Sequence, residues 1–89
     1  MNDQIRVVGE VFKPTSVPYR TNMTLLDLMI DIGGLTPFAA GNRATLSRQV
    51  HGGRKTFTVR LNDLLKDGDI TANVPVQPGD IILIPQSWL

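Results

Sequence analysis

The run Ile81-Ile82-Leu83-Ile84 constrains the fold of this chain more than any other feature of its sequence. Pro78-Gly79 precedes the run as a turn signal and Pro85 ends it, so its length is that of a strand. Its residues do not alternate between apolar and polar, a pattern typical of a strand buried on both faces. The run therefore predicts a strand at the centre of a sheet, and the remaining chain must supply strands on both sides of it.

Two further strands are predicted near the N-terminus. Residues 5–12 are hydrophobic and rich in β-branched side chains, and Lys13-Pro14-Thr15-Ser16 ends this segment as a turn. Gly9 inside the segment indicates a bulge or a close approach of another backbone. Residues 17–20 predict a short second strand, which we expect at a sheet edge because Pro18 has no N–H to donate.

One amphipathic helix is predicted over residues 25–33. Thr24 is a favourable N-cap, and Asp27 places a negative charge in the first turn. Gly33-Gly34 ends the helix, since glycine adopts the left-handed C-cap conformation. The apolar residues lie at the spacing of a single helical face: Leu25, Leu28, Met29 and Ile32.

Residues 43–50 and 55–61 predict a hairpin around a two-residue Gly52-Gly53 turn. This register places Arg48 opposite Phe57 and Val50 opposite Lys55. It gives one mainly apolar face and one polar face, and a slip of one residue would mix the two faces. Residues 62–66 then predict one helical turn before the last strand.

The order of strand, strand, helix, hairpin, short helix and buried strand indicates an α+β fold. The layout is that of a β-grasp, in which a mixed sheet of about five strands curls around one main helix, with the last strand beside the first. The length of 89 residues predicts one domain, residues 1–89. No apolar run reaches the roughly 20 residues of a membrane helix, so we expect no membrane insertion by this segment. Residues 1–4 are polar, so a targeting segment of an exported protein is expected outside this sequence.

Several segments together resemble the SLBB (soluble ligand-binding β-grasp) domain of outer-membrane polysaccharide export proteins. These segments are Val8-Gly9-Glu10-Val11 with Pro14; Met23-Thr24-Leu25-Leu26-Asp27; Gly33-Gly34-Leu35-Thr36; Phe38-Ala39 with Asn42 and Arg48; Leu61-Asn62-Asp63-Leu64-Leu65 with Gly68-Asp69; and Val76-Gln77-Pro78-Gly79-Asp80 through Pro85. Thr15 departs from the family, which commonly has glycine after the proline, and leaves the type of the first turn open. The tail Pro85-Gln86-Ser87-Trp88 is similar to export proteins of exosortase-linked exopolysaccharide systems.

The resemblance implies a periplasmic module in a ring-shaped export channel. The partners would be other domains or subunits of the ring, with acidic polysaccharide as a further ligand. The full protein would also carry a polysaccharide-export domain, an export signal and often a lipidated cysteine, all outside the present sequence. Two alternatives are a dedicated carbohydrate-binding domain and a ubiquitin-like adaptor or sulfur carrier. A sulfur carrier uses a C-terminal Gly-Gly, whereas this sequence ends in Ser-Trp-Leu.

The sequence gives no sign of an enzyme, a cofactor or a metal site. It contains no cysteine and a single histidine, His51, placed at the predicted hairpin turn. It also lacks the glycine-rich phosphate-binding motifs. Asp27 and Asp31 share an exposed helical face, where carboxylates have no cleft to separate their pKa values. Asp67, Asp69 and Asp80 do not follow the spacing of a calcium loop.

Charge and aromatic residues supply the candidate contact residues. Between residues 43 and 60 the chain has five bases and no acid, a pattern that allows a basic face for an anionic ligand. The net charge of +1 argues against nucleic acid as a partner. We expect Arg48 mainly to pack its stem on Phe57, because it falls on the apolar side of its strand. The full candidate set is Arg43, Arg48, Arg54, Lys55 and Arg60 with the aromatic residues Tyr19, Phe38 and Trp88.

Overall fold

The computed structural model describes residues 3–88 and contains five strands and two α-helices within that range. The strands are β1 (Gln4–Gly9), β2 (Thr15–Pro18), β3 (Ala44–Val50), β4 (Gly53–Val59) and β5 (Ile81–Ile84). The helices are α1 (Leu25–Ile32) and α2 (Leu61–Lys66), and short 3₁₀ helices span Gly41–Arg43 and Ile70–Ala72. The predicted α+β class is confirmed.

The strands form one mixed sheet in the order β2-β1-β5-β3-β4. Strand β5 pairs in parallel with β1 and antiparallel with β3, so it lies at the centre as predicted. The antiparallel pairs β1–β2 and β3–β4 flank it. This arrangement is the β-grasp layout expected from the sequence, and it leaves β2 and β4 as the two edges.

The expectation that β5 is buried on both faces is wrong. Ile82 and Ile84 are fully buried, whereas Leu83 between them is 48% exposed. Alternate residues of a strand point to opposite faces, and α1 packs on only one face of the sheet. Within residues 3–88 no helix covers the other face, so the apolar run marks a central position without marking a second buried face.

Helix α1 begins and ends where its sequence predicts. Thr24 and Asp27 form a reciprocal capping box, in which the Thr24 Oγ1 accepts from the Asp27 N–H and the Asp27 carboxylate accepts from the Thr24 N–H. Gly33 ends the helix in the left-handed conformation, with φ 82°. Leu25, Leu28 and Met29 of the helix are fully buried and form the core with inward-facing sheet residues.

The β3–β4 hairpin forms, but its predicted register is wrong by two residues. Phe57 lies opposite Leu46, and Lys55 lies opposite Arg48, because the two-residue turn is His51-Gly52. Gly52 supplies the one positive φ that this turn uses, 88°, and Gly53 already belongs to β4. A shift of two residues keeps every side chain on its predicted face, so the division into an apolar and a polar face is preserved.

Strand β1 ends at Gly9, three residues before the predicted end. Gly9 has φ 99°, and a Cβ there would overlap the carbonyl oxygen of Ile84, so the predicted close backbone approach is confirmed. The chain turns away at this point and returns as β2, which begins at Thr15. Thr15 is not among the residues with positive φ, so glycine is not needed at this position. Strand β2 is an edge strand, as Pro18 predicts.

Candidate functional site

The aromatic residues of this chain lie mainly on its surface. Of the five in the sequence, Phe12, Phe38, Phe57 and Trp88 are exposed, and only Tyr19 packs partly against the core. Aromatic side chains are the largest apolar groups available to a small core. A chain that fills its core with aliphatic residues and exposes its rings has those rings available for contacts with another molecule.

Two of these rings belong to residues that flank a short backbone bridge after β5. Ala39 pairs antiparallel with Gln86, and the Ser87 N–H donates to the Phe38 carbonyl at 2.7 Å. In this pairing Ser87 lies opposite Phe38, and Trp88 is the next residue along the chain. Phe38 is 64% exposed and Trp88 is 79% exposed.

Arg43 joins this pair through the same segment. Its Nη2 donates to the Gln86 carbonyl at 3.1 Å, which holds the guanidinium beside the bridge. We call Phe38, Arg43 and Trp88 the aromatic patch. Rings stack on the apolar faces of sugars and anchor protein interfaces, and a guanidinium pairs with carboxylates. The sequence named all three residues as candidates, and the fold places them on the two chain segments that this bridge joins.

An apolar groove of about 370 Å³ lies at the other edge of the sheet, beside β4. The inner faces of β3 and β4 form one wall, and the segment 74–77 forms the other. We call it the β4 groove; its lining is Leu46, Arg48, Phe57, Thr58, Val59, Val74, Pro75 and Gln77. The segment 74–77 is held in place by α1, because the Leu25 N–H donates to the Val74 carbonyl at 2.8 Å.

Arg48 ties the two walls of the β4 groove together. Its Nε and Nη2 donate to the two carboxylate oxygens of Asp80 at 3.1 and 2.9 Å, and Nη2 also donates to the Pro75 carbonyl. Its guanidinium carbon lies 5.6 Å from the centre of the Phe57 ring, so Arg48 contacts Phe57 through the guanidinium, whereas the sequence predicted packing of the stem. The hydrogen bonds and charge of Asp80 hold the pKa of Arg48 above its ordinary value.

Asp80 is the buried acid of this cluster, and it also accepts from the Gln77 N–H at 2.8 Å, as its place in the turn predicts. The sequence did not indicate its pairing with Arg48, because 32 residues separate the two and the pairing depends on β5 lying next to β3. The only signal available was a base on an apolar strand face. Such a base needs a partner when it is partly buried.

A model of the SLBB domain family matches residues 3–84, which is most of the chain. The chain belongs to the SLBB domain family. The family resemblance predicted from the sequence segments is therefore confirmed. SLBB domains are binding domains associated with polysaccharide-binding and polysaccharide-export proteins. Comparison with curated proteins gives no match.

The five bases of the hairpin region do not share one surface of this SLBB domain. Arg54 and Lys55 are neighbours on β4 and therefore point to opposite faces of the sheet. Arg54 donates to Ser47 and Gln49, which are uncharged. Lys55 lies directly opposite Arg48. Arg43 belongs to the aromatic patch at a different place, so the predicted basic face is divided into separate sites.

Arg60 is already paired within the SLBB domain. Its Nη1 contacts Asp63 at 2.8 Å and Asp69 at 3.2 Å, which ties the end of β4 to α2 and the following loop. Hydrogen bonds from the Thr71 hydroxyl and N–H, followed by Arg60, lower the pKa of Asp69 below 3.8. Arg60 is therefore a structural link, and it is less suited to ligand contact than Arg43 or Arg54.

Over residues 3–88 no three histidine, cysteine or acidic side chains lie close enough to hold a metal ion. His51 is exposed at the β3–β4 turn. In the same part of the chain, no helix has both the length and the apolar character needed to cross a membrane.

Proposed function

We propose that this SLBB domain is a non-enzymatic assembly and ligand-binding module of a periplasmic polysaccharide-export channel. The observation that carries the proposal is the exposure of four of its five aromatic rings, with Phe38 and Trp88 on the two paired segments of one backbone bridge. Rings and arginine are the residue types that contribute most to protein interfaces. Their partner would be a neighbouring domain or a second subunit of an outer-membrane export ring.

The exposed rings belong to a wider set of large apolar residues on the surface. Ile30, Ile70 and Leu83 are exposed on different sides of the domain as well. A domain that packs against neighbours on several sides, as within a ring, would cover such residues. The tail Pro85–Trp88 supports, more specifically, an exosortase-linked exopolysaccharide system.

A second candidate function is recognition of an acidic carbohydrate, and the aromatic patch favours it. Two exposed rings offer stacking surfaces for pyranose faces, and within residues 3–88 the Arg43 side chain donates only to the Gln86 carbonyl of the same bridge. A uronic-acid residue that stacks on Trp88 would present its carboxylate to such a guanidinium. In this function the patch would contact the exported polymer and not a protein.

Nuclear magnetic resonance on the ¹⁵N-labelled chain separates the two functions. The first series raises the protein concentration alone, and the second adds oligogalacturonate at a fixed low protein concentration. Assembly predicts concentration-dependent shifts at the amides of residues 38–43 and 86–88 in the first series. Carbohydrate recognition predicts saturable shifts at the same amides in the second series only.

Paired variants show whether the aromatic patch is responsible. Phe38→Ala and Trp88→Ala should each reduce the response about tenfold or more, since interface rings commonly contribute over 1 kcal/mol. Ile70→Ala is the control, because Ile70 is equally exposed but lies on the 3₁₀ helix after α2. Equal effects of all three variants, or no shifts in either series, would contradict both functions for this surface.

A further inference from the structure

Strand β4 is an open edge of the sheet. It is last in the strand order, and residues 53–58 are all exposed. An edge strand presents backbone donors and acceptors that another extended chain can pair with. The opposite edge, β2, is shorter and carries Pro18, so it is less suited to such pairing.

The sheet geometry decides which backbone groups of β4 point outward. The Asp80 carbonyl accepts from the Arg6 N–H of β1, and the Ile84 carbonyl accepts from the Glu10 N–H just after β1. Ile81 and Leu83 therefore point their backbone groups to β3. Thr45 and Ser47 therefore face β5. Because the direction of the backbone groups alternates along β3, those of Leu46 and Arg48 point to Phe57 and Lys55 of β4. The outward-facing groups of β4 are those of Arg54, Thr56 and Thr58.

The β4 groove gives this edge side-chain specificity. It runs along the inner face of β4, and Phe57, Val59 and Pro75 contribute to its lining. Its volume of 370 Å³ falls within the usual range of ligand pockets, roughly 300–1,000 Å³. Alternate side chains of a strand added to β4 would project into this groove, and the intervening ones would lie beside Arg54 and Thr56.

Charge selects the partner. Between residues 43 and 60 there is no acidic side chain, and among residues 3–88 the Arg54 side chain is bonded only to Ser47 and Gln49. Lys55 makes no ion pair or side-chain hydrogen bond to any residue in 3–88, and Arg48 opposite it is already paired with Asp80. A second copy of β4 would bring further arginine and lysine to this edge. An acidic segment would neutralise it instead.

We propose that β4 binds an extended acidic segment of a partner protein by strand addition. The segment places apolar side chains in the β4 groove and carboxylates beside Arg54, and it becomes a sixth strand of the sheet. The site does not use the aromatic patch, so it extends beyond the proposed function. Either one can fail while the other stands.

The probe is a capped peptide that matches β4 in length and alternates valine with glutamate. Backbone hydrogen exchange is followed on the ¹⁵N-labelled chain. With peptide at about ten times its dissociation constant, exchange at Arg54, Thr56 and Thr58 should slow about tenfold, because only the free edge exchanges. A peptide with lysine in place of glutamate should give no protection.

Two proline variants test the backbone pairing. Thr56→Pro removes an outward N–H of β4, which an edge strand tolerates, and should abolish the protection. Ser16→Pro is the control, because Ser16 has the same outward orientation on β2 and is two residues from Pro18. It should leave peptide binding unchanged. If Thr56→Pro does not fold, two peptides replace it as the test. One is N-methylated at its odd-numbered residues and the other at its even-numbered residues, and only one of the two should bind.

Three results would overturn the proposal. In the first, saturating glutamate peptide leaves the exchange of Thr56 and Thr58 unchanged. In the second, the lysine peptide protects them equally, so charge does not select the partner. In the third, raising the protein concentration protects the same amides without peptide, which assigns the edge to a second copy of the chain.

Discussion

At the scale of single residues, Asp80 is the position on which the most contacts depend. It is fully buried, and its carboxylate accepts two bonds from Arg48 and one from the Gln77 N–H. A buried carboxylate persists only when its oxygens are paired in this way. The contacts join the start of β5, the middle of β3 and the loop that lines the β4 groove.

Replacing Asp80 with alanine should therefore destabilise the fold strongly. It leaves the Arg48 guanidinium and the Gln77 N–H without their partner, and we expect a loss of about 3 kcal/mol. Asp31→Ala is the matched control, because the Arg20–Asp31 pair at 2.7 Å is exposed and contributes little. Urea unfolding followed by circular dichroism measures both variants, and equal losses would contradict this account of Asp80.

Gly9 and Gly41 lie in or next to segments that resemble the family, and close packing explains the glycine at each position. A Cβ on Gly41 would lie 2.5 Å from the Asn62 Oδ1 and 2.9 Å from the Leu35 Cδ1. Gly9 approaches the Ile84 carbonyl still more closely. Both positions fall within or next to the sequence segments shared with the family, so part of that pattern reports close approach of chain segments and not ligand contact.

At the scale of elements, ion pairs join the short segments after β4, whose Leu61, Leu64 and Ala72 also pack into the core. Asp69 caps the Ile70–Ala72 helix by accepting from the Thr71 N–H at 3.0 Å. The same carboxylate contacts Arg60, which precedes α2. The loop between α2 and β5 is thus attached to the end of β4 through one acidic side chain.

This attachment predicts a contribution to acid sensitivity. The pKa of Asp69 is lower in the folded chain than its ordinary 3.8, so the unfolded chain binds more protons below that pH. Its stabilising contribution is complete above pH 3.8 and is lost as the pH falls through the folded value. Asp69→Asn should flatten the stability curve as the pH falls below about 4. Urea unfolding over this range measures it, and Asp67→Asn, which removes the same charge nearby, should keep the parent slope.

Local patterns predicted most elements, whereas contacts across the sheet were less predictable. Thr24, Asp27 and Gly33 gave the limits of α1 because capping depends on neighbours in sequence. The hairpin register was wrong because a two-residue turn at Gly52-Gly53 and one at His51-Gly52 both include a glycine. Face alternation cannot distinguish two registers that differ by two residues. The aromatic patch was predicted by residue, but its assembly depends on the Ala39–Gln86 bridge, which no local pattern encodes. The β4 groove was missed for the same reason.

At the scale of the whole molecule, the aromatic rings lie mostly on the surface, and aliphatic side chains form the core. Over residues 3–88 the buried core contains no phenylalanine or tryptophan and is built from isoleucine, leucine, valine, methionine and alanine. Aliphatic side chains fill a thin space between one short helix and a curled sheet. The rings are then free to serve as contacts without loss of packing, so stability and binding depend on different residues.

The single tryptophan should consequently report binding and not folding. Trp88 is 79% exposed, so its emission should shift little on unfolding in urea, while circular dichroism shows a cooperative transition. A partner that covers the aromatic patch should move the emission to shorter wavelength and reduce quenching by acrylamide. A large emission shift on unfolding alone would show that Trp88 is packed in the folded chain.

The central position of β5 has a consequence for how the domain forms during synthesis. Residues 81–84 leave the ribosome after every other strand, yet they join the β1–β2 pair to the β3–β4 pair. A nascent chain that stops before them holds two separate hairpins and an α1 without its sheet. Folding of this domain must therefore wait until translation of its sequence is nearly complete, and its hydrophobic strands need protection from aggregation until then.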